Sequence, residues 1–189
     1  MKKWIIGSFV GAIIVFLWQA CSWMFLGIHE SEVKYTPAQE QIMSALANGL
    51  PEDGKYFIPN APPGTAEKDK QEMMKKMAGK PWAWITYVHS YATDMTTPMI
   101  FGFITDLVLV ILLISILVRG GLPNFVGIFT GSIAVGVFAF LWGPYSEHNW
   151  FQVPWSGIQG QLIDAIGAWA LCGLWLGWWL RRPVKVVKT

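Results

Sequence analysis

Four long apolar runs divide this chain, and the polar residues fall between them. Trp4 to Ile28 carries no charged residue over 25 positions, Met95 to Val118 carries only Asp106, Phe125 to Tyr145 carries none, and Gln161 to Leu180 carries only Asp164. About 20 apolar residues in a helix cross the hydrocarbon core of a bilayer. A lone spanning segment has to be helical, because a helix satisfies its own backbone N–H and C=O groups in lipid. The pattern predicts an all-α membrane protein, a four-transmembrane-helix bundle interrupted once by a polar insert.

That insert, residues 29–94, reads as a small α+β domain. Thr36-Pro37-Ala38-Gln39 offers an N-cap, a proline at the first helical position and a capping-box glutamine. Ile42, Met43 and Leu46 form the apolar stripe of that helix, and Asn48-Gly49 ends it. Lys55 to Pro59 predicts a strand, Asn60 to Gly64 a loop, Thr65 the cap of a second helix through Met77, and Trp82 to His89 a second strand. The expected organisation is a first span with a basic stub (1–28), the insert (29–94), spans two to four (95–180) with a loop at 146–160, and a basic tail (181–189).

Composition agrees with the membrane reading: 53% hydrophobic residues and 12 tryptophans, with a mean hydropathy of +0.40. Charge adds orientation. Lys2, Lys3, Arg119, Arg181, Arg182, Lys185 and Lys188 all fall on one face of the bundle, without a single carboxylate. By the positive-inside rule that face is cytoplasmic, with both termini, and the insert is periplasmic. The formal net charge of +2 therefore averages a basic face and an acidic one. Ala20-Cys21-Ser22 resembles a lipoprotein cleavage site, but Trp18 is bulky and the apolar run continues through Leu26, so an uncleaved anchor is expected.

Candidate chemistry is sparse. His29, His89 and His148 lie at the ends of different spans, and with Glu30, Asp94 and Glu147 they could converge as a metal site. The competing reading is three separate interfacial histidines. No other cofactor is expected; haem would need a histidine inside a span. Asp106 lies about 12 Å below Pro98 at 1.5 Å per residue, well inside the hydrocarbon. An intramembrane carboxylate is costly and is a functional candidate by default. The same depth holds Gln19, Ser132 and Trp169, so a polar layer could form there, either binding a ligand or proton or locking helices together. Gly7 and Gly11, Gly127 and Gly131, and Gly173 and Gly177 are each four apart, a spacing that marks close helix packing. Two cysteines without a close pair exclude a dithiol oxidoreductase, and no nucleotide-binding glycine loop, hydrolase signature or nucleic-acid surface is present.

Gly54-Lys55-Tyr56-Phe57-Ile58-Pro59, Lys80-Pro81-Trp82-Ala83-Trp84 and His148-Asn149-Trp150-Phe151-Gln152-Val153-Pro154 resemble segments of a loosely defined group of uncharacterised bacterial inner-membrane proteins, with four spans and an extracytoplasmic insert after the first. The resemblance implies a fold and a compartment, and no activity. The expected function is a non-catalytic subunit or scaffold of a larger inner-membrane assembly, for which a respiratory or electron-transfer complex is one host. The alternative is a binding or transport site for a quinone, lipid or proton-coupled substrate around Asp106. Expected partners are membrane lipids and other integral membrane proteins or a second copy.

Overall fold

The computed structural model describes residues 2–182. In chain order these form α1 (Lys2–Met24), α2 (Gln39–Gly49), β1 (Gly54–Ile58), α3 (Glu67–Met77), β2 (Ala83–Tyr87), α4 (Thr96–Leu117), α5 (Phe125–Trp142), α6 (Pro144–Phe151), a 3-10 turn (Trp155–Gly157) and α7 (Gln159–Arg181). Four segments are long and apolar enough to cross a membrane: α1, α4, α5 continued by α6, and α7. Lys185 and Lys188 of the expected basic tail lie outside the described residues.

Local chemistry sets the helix ends. Past Met24 the amides of Phe25 and Leu26 both close on the Cys21 carbonyl at 3.0 Å, and Gly27 takes φ +62, which turns the chain back over α1. Asn124 caps α5, its Oδ1 accepting from the Gly127 amide at 2.7 Å. The segment expected as a loop at 146–160 is largely helical instead. Gly143 breaks α5, Pro144 restarts a helix at its first turn, and Gln152 ends it with φ 54. A Gly-Pro pair reads as a breaker in sequence, yet proline at a first turn starts a helix as readily as it ends one.

The spans do not pack as a closed square. α1 packs along both α4 and α7, and α5 packs along α7, while α4 and α5 touch lightly. The order α4–α1–α7–α5 puts α1 and α7 at the centre. Val15, Val110, Leu113, Ile128, Cys172 and Leu176 fill the core between them. Glycines set the close approaches. A Cβ on Gly136 would run into the Ala165 carbonyl oxygen, and one on Gly167 would run into the Trp18 indole. Gly7 faces Trp179, Gly11 faces Val110 and Cys172, Gly131 faces Leu117, Gly173 faces Ser132, and Gly177 faces Phe125. Gly127 lies instead against Pro123 and Asn124 of its own segment.

The chain forms two compact units, Met1–Lys34 with Asp94–Thr189, and Tyr35–Thr93. Residues 29–34, expected in the insert, belong to the helical unit. In the second unit β1 and β2 pair antiparallel, with Tyr56 opposite Ile85 and Phe57 opposite Trp84. Phe57 packs on Trp82 and Trp84 at ring separations of 5.3 and 5.8 Å. Neither helix there has the expected threonine cap. Thr36 accepts from the Ala38 amide and Thr65 donates to the Pro62 carbonyl, so both hydroxyls serve local turns, and the helices begin after Ala38 and Ala66. Asp53 closes the base of the hairpin, accepting from the His89 ring and amide at 2.5 and 2.8 Å.

Candidate functional site

The polar atoms of the helical unit gather near the end from which the insert emerges. Trp18 and Gln19 are consecutive on α1, so their side chains leave the helix about 100° apart and reach different neighbours. The Trp18 indole donates to Asp164 Oδ1 of α7 at 2.9 Å, and the Gln19 amide donates to Asp106 Oδ1 of α4 at 3.3 Å. Gln19 lies nearer the end of its helix than Asp106 does. The bridge spans that offset because α1 and α4 run antiparallel, and helical side chains tilt towards their own N-termini.

A denser cluster surrounds Asp164. The turn at Gly27 brings His29 back over α1, where it is buried at 5% exposure. Its Nδ1 lies 2.8 Å from Glu32 Oε1 and its Nε2 lies 2.9 Å from Asp164 Oδ2. Ser22, fully buried, donates to Asp164 Oδ1 at 2.5 Å, and its oxygen is 2.9 Å from His29 Nε2. Trp23 stacks on the imidazole face at 3.9 Å and 5°. On the other side there is room only for a glycine: a Cβ on Gly160 would lie 2.5 Å from Glu32 Oε1 and 2.8 Å from His29 Nδ1.

Ser22, His29 and Asp164 have the composition of a hydrolytic triad but not its geometry. A triad serine gives its proton to the imidazole, and the carboxylate sits behind the other ring nitrogen. Here Ser22 gives its proton to the carboxylate. A carboxylate oxygen faces each ring nitrogen of His29, that of Glu32 at Nδ1 and that of Asp164 at Nε2. The cluster is a hydrogen-bonded clasp between the turn after α1 and the first turns of α7. Ser31 extends it, donating to the Ser156 carbonyl at 3.1 Å and accepting from Gln159 at 2.9 Å. The recess beside it, lined by Trp23, Met24, Phe25, Gly27, His29 and Glu30, measures about 260 Å³. Small-molecule pockets run to roughly 300–1,000 Å³, so this one is at best a shallow seat.

The other sequence candidates are placed as follows. His89 is held by Asp53 inside the second unit, and His148 donates to the Val153 carbonyl at 2.6 Å. The carboxylates beside His29 are Glu32 and Asp164, in place of the expected Glu30, Asp94 or Glu147. Among the described residues no three His, Cys, Asp or Glu side chains are grouped to hold a metal ion. Of the expected polar layer, only Gln19 and Asp106 meet. Ser132 donates to Ile128 of its own helix at 2.8 Å, and the Trp169 indole packs at Gly136. Asp106 is 2% exposed, and its Oδ2 has no hydrogen-bond partner among the described residues. Sequence reasoning passed over Ser22 and Glu32, and took Asp164, a turn or so below the membrane surface, for a residue without a functional role. The signal for them was depth, because Asp164 lies about one turn inside α7 at the end where His29 also falls.

Comparison with protein-family models, with curated proteins and with solved structures finds no match for the chain.

Proposed function

We propose that the chain is a non-catalytic integral membrane subunit or scaffold of a larger bacterial inner-membrane assembly. In this reading both termini are cytoplasmic, the insert is periplasmic, and the chain belongs with the four-span group that its short segments resemble. The observation that carries it is the hydrogen-bond pattern of Ser22, His29 and Asp164. Ser22, His29 and Asp164, hydrolytic in composition, are spent on fastening α1 to α7, with the serine hydroxyl donating to the carboxylate and the imidazole between two acids. The indoles of Trp18, Trp175 and Trp179 serve the same end, donating to Asp164 and to the Gly7 and Lys3 carbonyls of α1. Side chains that elsewhere do chemistry hold helices together here. The test is extraction in a mild detergent followed by a native gel and mass spectrometry of the band. Stoichiometric co-migrating membrane proteins are expected, and a lone small species would overturn the reading.

A second reading is favoured by one atom. Asp106 Oδ2 is buried without a protein partner among the described residues, and an unsatisfied buried oxygen costs on the order of 1–3 kcal/mol. This supports a site for a proton or a small polar ligand next to Gln19. Infrared difference spectra across a pH titration would show a carboxyl band that Asp106→Asn removes. Identical spectra from the two proteins would retire it.

A further inference from the structure

At the end of the bundle where α1 begins, the turn-by-turn contacts bring cations together without an anion. Trp179 donates to the Lys3 carbonyl at 2.8 Å, tying the first turn of α1 to the last turn of α7. The Lys3 ammonium in turn donates to the Arg182 carbonyl. Arg181 donates to the Pro123 carbonyl at 2.9 Å, which brings the start of α5 to the same place. The Arg182 guanidinium carbon lies over the Trp178 ring, 3.8 Å from its centroid, and 5.9 Å from that of Trp179. None of the twelve Asp and Glu side chains falls in residues 1–29, 107–146 or 165–189, so no acidic side chain of this end balances Lys3, Arg181 and Arg182.

Donor counting sharpens this. A guanidinium has five N–H donors and an ammonium three. Lys3 and Arg181 each spend one on a backbone carbonyl, and Arg182 spends none on protein among the described residues. Contact with the Trp178 ring face holds the guanidinium in place without using its N–H donors, and a planar fork of donors fits two oxygens of a phosphate. Trp178 is 48% exposed beside it, the position of an interfacial aromatic. The last turn of a spanning helix lies at headgroup level, where the ambient anion is a lipid phosphate.

We propose that Lys3, Arg181 and Arg182, with Trp178 as platform, form a binding site for the headgroup phosphate of an anionic phospholipid. This stands independently of the subunit reading, since it concerns the other end of the bundle and needs no protein partner.

The experiment is native mass spectrometry of the detergent-extracted full chain with phosphatidylglycerol or phosphatidylcholine of matched acyl chains. The expected result is a preference for phosphatidylglycerol of at least about tenfold, which the double variant Lys3→Gln, Arg182→Gln abolishes. Arg182→Lys keeps the charge but loses the fork, and is expected to fall between. Lys68→Gln with Lys70→Gln, on α3, should leave the preference intact. Equal retention of the two lipids would overturn the proposal, as would a double variant that binds like the wild type. If the double variant fails to fold, Arg182→Lys decides alone, and an undiminished preference in it counts against the site. Displacement of phosphatidylglycerol by millimolar inorganic phosphate would assign the site to a free anion and overturn the lipid assignment.

Discussion

Replacing Gly136 by alanine tests the packing order directly, because the obstacle is main chain. The new Cβ would stand 2.5 Å from Trp169 Cδ1 and closer still to the Ala165 carbonyl oxygen. Carbon and oxygen in ordinary contact stay about 3.3 Å apart, so α5 and α7 must part by roughly 1 Å. A radial gap of about 0.5–1 Å forfeits a quarter to a half of each dispersion well along the seam. Overpacking of this kind costs about 1–3 kcal/mol. A backbone oxygen cannot swing aside, which argues for the upper figure. Alanine returns about 0.5–1 kcal/mol as the better helix former, leaving a net loss of about 2 kcal/mol. Gly102→Ala on α4 is the control. Its nearest neighbour is Phe16 Cε2 at 3.9 Å, so the propensity gain should stand unopposed. Unfolding in mixed detergent micelles, followed by circular dichroism, should separate the two variants by about 2–3 kcal/mol, with wild type between them. Equal stability of Gly136→Ala and Gly102→Ala would refute the close α5–α7 contact and the helix order built on it.

Three further outcomes follow from the clasp and the hairpin. His29→Ala leaves Glu32 and Asp164 facing each other without the ring that bridges them, and should cost about 1–3 kcal/mol in the same unfolding assay. Combined with Asp164→Asn the loss should be less than additive, and simple additivity would show that the two side chains do not interact. In the insert, the His89 ring hydrogen bond, followed by the His89 amide, holds the Asp53 carboxyl below its ordinary value. A depressed folded-state value contributes stability above the ordinary carboxylate range and loses it as pH falls through the folded value. Hydrogen exchange at the His89 amide, two residues past β2, should therefore speed up on acidification relative to the amides of β2, and Asp53→Asn should remove that dependence.

How far the sequence reaches can be seen residue by residue. The spans were legible because an apolar run of about 20 residues fits little besides a membrane-crossing helix, and the two strands and two helices of the insert followed from alternation and stripe. The helix at Pro144–Phe151 was not, since Gly143-Pro144 carries opposite meanings at the end and at the start of a helix. Capping by Thr36 and Thr65 failed for a related reason: a hydroxyl near a helix start has several backbone groups within reach. Asp106 with Gln19 was within reach of a depth count. His29 with Asp164 joins residues 135 apart, and nothing local to either names the other. The closest glycines, Gly136 and Gly167, escaped a search for glycine pairs, although Ser132 and Gly136 have the same four-residue spacing of small residues.

The order α4–α1–α7–α5 has a consequence for how the protein is made. α1 leaves the ribosome before the other three spans, yet the acids that its Trp18, Gln19 and Ser22 bind sit in α4 and α7. α5 follows α4 in synthesis but touches it lightly, and its long seam is with α7. During insertion α1 and α4 can pair at once, while α5 must wait beside them with its glycine face uncovered. Only when α7 arrives do α5 and the turn after α1 find their partners together. Among these four spans α7, translated after the other three, is thus the one that joins them, and a chain halted before it would be left with an inserted but unassembled α5.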